Sequence, residues 1–209
     1  MHNSVIVFAK YPRPGNVKTR LAAGIGDIAA TAFYKECAEQ LFARFSTLTT
    51  TISVHIFCDD PGDRAAMQQW TGNQFAMHVQ RGSNLGARMF NAFTELFQLG
   101  AERVAIVGTD IPDLSAAHIE SGFKLLDTHD VVLGPSRDGG YYLLAMKAPL
   151  NIFQKITWST DTVAAETREQ IVAAGLSLVG LEELHDVDTV EDFRLFEEMV
   201  RGRSAGINR

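Results

Sequence analysis

Two cysteines, Cys37 and Cys58, are all that the 209 residues contain. They stand far apart and form neither a Cys-x-x-Cys pair nor a zinc-ligand spacing, which excludes a disulfide scaffold and a thiolate metal site. Both are expected as buried, unpaired thiols, a usage that suits a reducing compartment. No apolar stretch approaches the roughly 20 residues that a membrane-spanning helix needs. The chain also begins with a strand-like run in place of a cleavable leader, so a cytoplasmic protein without a membrane partner is expected. Positive charge is scarce: 19 Lys and Arg face 25 Asp and Glu, a net charge of -6. A nonspecific polyanion binder shows a basic stripe, so nucleic acid is not an expected partner. Familiar glycine signatures are missing too. Gly15 lies too close to Lys18 for a P-loop, the strand-proximal dinucleotide pattern is absent, and no serine sits in a nucleophile elbow. No motif therefore points to an ATPase, an NAD enzyme or a serine hydrolase.

What is present describes a folded α/β chain. Hydrophobic residues make up 46% of the sequence and charged residues 21%, enough for a substantial core and too apolar for disorder. With no linker or repeat, one domain over residues 1–201 is expected, followed by a frayed tail at 202–209. Periodicity predicts strands at 4–9, 51–58, 75–80, 103–107, 130–133, 141–146 and 176–180. Helices are expected at 27–45, 63–70, 84–99, 115–126, 149–153, 160–174 and 189–199, the last capped by Thr189. Alternation of strand and helix implies right-handed crossovers and a largely parallel sheet, a three-layer α/β/α arrangement. The connection at 134–140 is too short for a crossover helix, so an antiparallel hairpin is expected there.

The candidate chemistry gathers where strands end. An apolar run closes at Ala9, and the chain then carries Lys10, Arg13, Lys18 and Arg20 through a stretch stiffened by Pro12 and Pro14 and bent at Gly15. A helical turn following it would add free N–H groups, which together make a phosphate site; the bland alternative is a solvent-facing basic loop. Asp110 leaves the core directly after 104–107, with Pro112 restricting the backbone beyond it. Its carboxylate suits Mg²⁺ or Mn²⁺ held jointly with phosphate oxygens, or else it closes an Asx turn. Asp113 is a weaker companion or a helix-start charge. Asp186 and Asp188 flank Val187, so one of them can complete a metal shell, and both can equally cap the helix that follows. Asn84, Gly86 and Arg88 offer contacts to a nucleotide, with N-capping by Asn84 as the competing reading. Asp138, in Arg137-Asp138-Gly139-Gly140-Tyr141-Tyr142, can bind hydroxyls or take a proton from an acceptor, or the whole set can be a hairpin turn. His55, His78 and His185 form no metal-ligand grouping and are given no catalytic role, His118 and His129 are read as structural or solvated, and Trp70 and Trp158 as packed.

Taken together, these segments are recognisable. The run from Phe8-Ala9-Lys10 to Arg20-Leu21, Asn84-Leu85-Gly86-Ala87-Arg88-Met89, Gly108-Thr109-Asp110-Ile111-Pro112, Gly134-Pro135 with Asp138-Gly139-Gly140-Tyr141-Tyr142, and Asp186-Val187-Asp188-Thr189 resemble the DUF2064 group of glycosyltransferase-like proteins. That group lies within the nucleotide-diphospho-sugar transferase superfamily of GT-A fold. The resemblance implies a single-domain Rossmann-like GT-A fold with a mostly parallel mixed sheet. It also implies phosphate contacts from Arg13, Gly15, Lys18 and Arg20, a divalent metal on Asp110, and help from Asp188 or Asp186. More distantly the chain resembles phospholactate guanylyltransferase and the molybdopterin nucleotidyltransferases, but Tyr11-Pro12-Arg13-Pro14 replaces their glycine-rich segment. The expected activity is therefore metal-dependent glycosyl transfer from a nucleoside diphosphate sugar to a small acceptor, with Lys18, Arg20, Asp110 and Asp138 as catalytic candidates. Nucleotidyl transfer from an NTP to a phosphorylated acceptor is the second reading, and a nucleotide-binding regulator without turnover the third. Either a monomer or a homodimer is compatible with the sequence.

Overall fold

The computed structural model describes residues 2–48 and 52–206, with 201–206 as backbone alone. Thr51, the expected start of the second strand, lies outside the described residues, as do residues 207–209 of the expected tail. Strands β1 (Asn3–Ala9), β2 (Ile52–Cys58), β3 (Ala76–Val79), β4 (Arg103–Val107), β5 (Val131–Pro135), β6 (Tyr141–Met146) and β7 (Leu178–Gly180) alternate with helices over much of the chain. The helices are α1 (Thr19–Ile25), α2 (Asp27–Phe45), α3 (Arg64–Thr71), α4 (Leu85–Gln98), α5 (Ala116–Leu125), α6 (Val163–Ala173) and α7 (Val190–Gly206). No helix among the described residues is long and apolar enough to cross a membrane.

The strands form one sheet in the order β3-β2-β1-β4-β6-β5-β7. Neighbours run parallel except β6, which is antiparallel to both β4 and β5. This is the expected hairpin: a short connection lets the chain only reverse, never cross over. The first strands are apolar on both sides because both sides are covered. Val5 and Val7 pack with Leu41 and Phe45 of α2, Met67 of α3 and Ile119 and Phe123 of α5. Ile6 turns the other way, toward Met89, Phe93 and Leu96 of α4 and Ile171 of α6. A small third cluster joins Leu21 and Ala22 of α1 to Ala30 of α2, with Val190 and Phe193 of α7 packed against it. The fold is the three-layer α/β/α arrangement with a mixed, mostly parallel sheet.

Residues 149–153 form no helix, contrary to the sequence expectation. Five residues gain too little from helix nucleation, and Ile152 and Phe153 are instead buried, the latter stacked on Phe93 at 6.1 Å. The basic loop gives more than a helical turn, ending in the seven-residue α1. One polar chain crosses the layers beside α4: His55 of β2 lies 3.0 Å from His78 of β3, which lies 2.7 Å from Glu95.

Connectivity places the site. From β1 the chain moves outward through β2 to β3, then returns to lay β4 on the other side of β1. The loops leaving β1 and β4 diverge there, opening a crevice at the carboxyl edge of the sheet.

Candidate active site

The loop leaving β1 is built as a rigid frame. Tyr34 of α2 clamps its first residue: the Lys10 N–H donates to the phenol oxygen at 2.8 Å, and the phenol O–H donates to the Lys10 carbonyl at 3.0 Å. Burial pushes the Tyr34 hydroxyl above its ordinary pKa, so it stays a donor. Arg13 turns outward to Asp63, donating one N–H to its Oδ2 at 2.8 Å while its second terminal nitrogen makes an ion-pair contact with Oδ1. Its guanidinium also lies 5.2 Å from the ring centre of Tyr11, which in turn edges Trp70. Gly15 bends the chain at φ 83°. Val17 is buried beneath the loop, and Lys18 takes a left-handed backbone, φ 49° and ψ 44°, directly before α1. A single non-glycine residue in that region costs roughly 1–2 kcal/mol, which the surrounding contacts must offset.

That backbone turn sends the Lys18 side chain down to the crevice floor. Its ammonium donates to Asp188 at 2.7 Å and lies 3.3 Å from Asp110. The lysine side chain is only 2% exposed, whereas those of Asp110 and Asp188 are 49% and 35% exposed. Burial alone pulls the ammonium's pKa down; the charges of Asp110 and Asp188 outweigh it and hold the group above its ordinary value. Asp188 owes its position to the start of α7. Thr189 and Asp192 cap that helix reciprocally, and Asp192 also accepts from the Asp188 N–H at 3.2 Å.

Above this floor the crevice opens to about 840 Å³, the size of a small-molecule site. Of the residues singled out in the sequence, Ala9, Lys10, Lys18, Arg20, Arg88, Asp110, Asp138 and Asp188 line it. Arg13, Gly15, Asn84, Gly86 and Asp186 do not. Asn84 caps α4, its side chain accepting from Ala87 N–H at 2.9 Å. Gly86 is a packing socket: a Cβ there would come 2.6 Å from the Trp158 ring. Asp186 lines a small depression with Pro112, Phe196 and Met199. Its carboxyl is pushed up to about 6 by burial and by the neighbouring Asp138 carboxylate.

The hairpin turn before β6 carries Asp138 on one wall. Its Oδ1 accepts from the Ser136 hydroxyl at 2.6 Å and from Gly140 N–H at 2.9 Å. Both neighbouring phenols are committed inward, Tyr142 to the Glu182 carbonyl and Tyr141 to Met89 sulfur. Gly139 has φ 86°, and a Cβ there would meet the Asp161 carbonyl at 2.0 Å. Trp158, Ser159, Thr160 and Asp161 thus line the crevice, seated on Gly86 at one end and Gly139 at the other. Sequence reading took Trp158 as packed, as its seat on Gly86 bears out, but gave neither this segment nor Tyr34 a place in the site. The two glycines were the available signal, but their partners lie far along the chain.

The charged residues of the crevice come from different parts of the chain. Its cations, Lys10, Lys18, Arg20 and Arg88, come from the first half of the chain, whereas the wall built by Asp138, the tyrosines and residues 158–163 contains no Lys or Arg. Among the described residues, no group of three or more His, Cys, Asp or Glu side chains is arranged to hold a metal.

Comparison with known proteins agrees with this fold. A crystal structure from Desulfovibrio desulfuricans G20, described as a candidate nucleotide-diphospho-sugar transferase, is 32% identical, covers 94% of this chain and 87% of its own, and superposes with a TM-score of 0.88. The 4-diphosphocytidyl-2C-methyl-D-erythritol synthase of Anaerococcus prevotii DSM 20548 shares 11% identity over 96% of each chain at a TM-score of 0.61. Rv0371c of Mycobacterium tuberculosis H37Rv, crystallised in complex with manganese, shares 12% identity over 93% of this chain and 97% of its own, at a TM-score of 0.54. At such identities the last two speak for the fold alone. None of the curated proteins matches the sequence. The family described as an uncharacterized protein conserved in bacteria, DUF2064, matches residues 44–160. With over half of its sequence matched and a 32% identical structural relative along nearly its whole length, the chain belongs to the DUF2064 family.

Proposed function

We propose that this protein is a divalent-metal-assisted glycosyltransferase that uses a nucleoside diphosphate sugar and a small hydroxyl-bearing acceptor. The observation that carries the reading is the set of charged groups lining one crevice. Lys10, Arg20 and Arg88 offer a diphosphate its counter-charge, and the hairpin turn and the 158–161 segment, which line the same crevice, offer Asp138, Asp161 and the hydroxyls of Ser159 and Thr160. A sugar acceptor that is itself neutral meets no penalty there. A phosphorylated acceptor, which nucleotidyl transfer requires, meets two carboxylates if it lies against those groups.

The metal expected of such chemistry suits the carboxylates present. Asp110 and Asp188 both reach one nitrogen and keep part of their surface toward the crevice. Two carboxylates are too few for a closed protein cage, but they suit Mg²⁺ or Mn²⁺ that completes its shell with diphosphate oxygens and water. The manganese complex of the distantly related Rv0371c is in keeping with this assignment. Bound there, the ion supplies Lewis-acid stabilisation of the departing diphosphate. Arg20 and Lys10 bind and orient the diphosphate, adding their own charge to that of the leaving group. Asp138 accepts the proton of the acceptor hydroxyl as its oxygen bonds to the anomeric carbon and the bond from that carbon to the diphosphate breaks.

Purified protein incubated with a panel of nucleoside diphosphate sugars, Mn²⁺ and neutral polyol acceptors is expected to release nucleoside diphosphate. Thermal denaturation against the same sugars and against NTPs, with and without metal, identifies the donor. Exclusive stabilisation by an NTP, with pyrophosphate as product, would replace this reading by nucleotidyl transfer.

A further inference from the structure

Lys18 occupies an unusual place for a cation in such a crevice: it faces the metal-binding carboxylates instead of the opening. Its side chain is 2% exposed, its ammonium is shared by Asp188 at 2.7 Å and Asp110 at 3.3 Å, and a left-handed backbone turn aims it there. One ammonium and two carboxylates leave a single net negative charge. A divalent ion entering alone therefore meets ligands already half neutralised and a fixed positive charge beside them.

We propose that Lys18 makes metal binding conditional on the nucleotide. In the free protein the ammonium holds Asp110 and Asp188 together and deters a metal ion arriving alone. A diphosphate brings enough negative charge to offset both cations, so metal and diphosphate enter together. Coupling of this kind is reciprocal: the metal must raise diphosphate affinity by the factor by which diphosphate raises metal affinity. The inference rests on the proposed donor site and adds an order of assembly to it.

The test is Mn²⁺ binding by electron paramagnetic resonance at buffered free Mn²⁺, with and without inorganic pyrophosphate as a base-independent probe. Wild-type protein is expected to bind Mn²⁺ weakly alone and at least about tenfold more tightly with pyrophosphate. Lys18→Met is expected to bind Mn²⁺ alone about tenfold more tightly than wild type and to lose most of the coupling. Circular dichroism checks that this variant is folded; if it is not, the wild-type comparison decides by itself, since equal Mn²⁺ affinity with and without pyrophosphate overturns the proposal. A folded Lys18→Met protein whose Mn²⁺ affinity is unchanged or weaker overturns it while leaving the transferase reading intact. Failure of pyrophosphate to bind at any Mn²⁺ concentration overturns both.

Discussion

The Lys18 ammonium donates to the Asp188 carboxylate at 2.7 Å across 170 residues of sequence, joining the loop after β1 to the start of α7. Asp188→Asn keeps the shape but removes the charge that compensates a buried cation. It is expected to lower stability by about 1–3 kcal/mol and transferase turnover by about a hundredfold or more. Thermal denaturation and nucleoside diphosphate release measure the two. Retained turnover in a folded variant would remove Asp188 from the site.

Two arginines ten sequence positions or fewer apart should behave oppositely. Arg20 lines the crevice, so Arg20→Ala is expected to weaken diphosphate binding by about tenfold or more, near 1.4 kcal/mol, with the melting temperature little changed. Arg13 is spent on Asp63, whose side chain is only 7% exposed. Arg13→Ala leaves that carboxylate without its partner, and a stability loss of about 1–3 kcal/mol is expected, with a smaller effect on binding. Calorimetry with pyrophosphate beside a melting curve separates the two.

Gly139→Ala tests the crevice-lining segment 158–161. Its backbone, at φ 86°, disfavours any side chain, and the new Cβ would lie 2.0 Å from the Asp161 carbonyl. Strain of roughly 1–3 kcal/mol is expected. Relief by displacement of residues 158–161 should raise KM for the acceptor more than for the donor. Trp158 fluorescence, read in a Trp70→Phe background, should report the displacement directly.

Acidification should act through His55, whose pKa is pushed down to about 4 by burial and by the neighbouring His78. The unfolded chain, with an ordinary value near 6.5, binds the proton more readily than the folded one, so stability rises with pH between about 4 and 6.5. On going down through that window the protein is expected to lose on the order of 1–2 kcal/mol from this residue, once partial solvent access is allowed for. His55→Phe should flatten that part of the profile in urea titrations; an unchanged slope would assign the pH dependence elsewhere.

Much of the fold was legible because local patterns carried it. Apolar runs such as Val5-Ile6-Val7 need cover on both faces, and the short turn at 134–140 can only reverse the chain. Helix 149–153 was misread because its apolar residues serve a distant partner, Phe93, and not a local helical face. The glycines were harder still. Gly86 and Gly139 carry the permissive character of ligand-contacting positions, yet each is a socket for a segment 158–161 that lies well along the chain. No spacing rule connects such residues.

The sequence by itself determined the alternation of strands and helices, the single antiparallel reversal and the gathering of basic and acidic residues at strand ends, because periodicity, turn chemistry and chain connectivity are local properties. Only the tertiary structure decided which charges meet. Lys18 bridges Asp110 and Asp188, Arg13 goes to Asp63, and Asp186 turns away from the crevice lining. Side-chain direction depends on a backbone turn at Lys18 and on helix caps and packing at distant positions, and those are fixed only when the sheet and its covering helices close on one another.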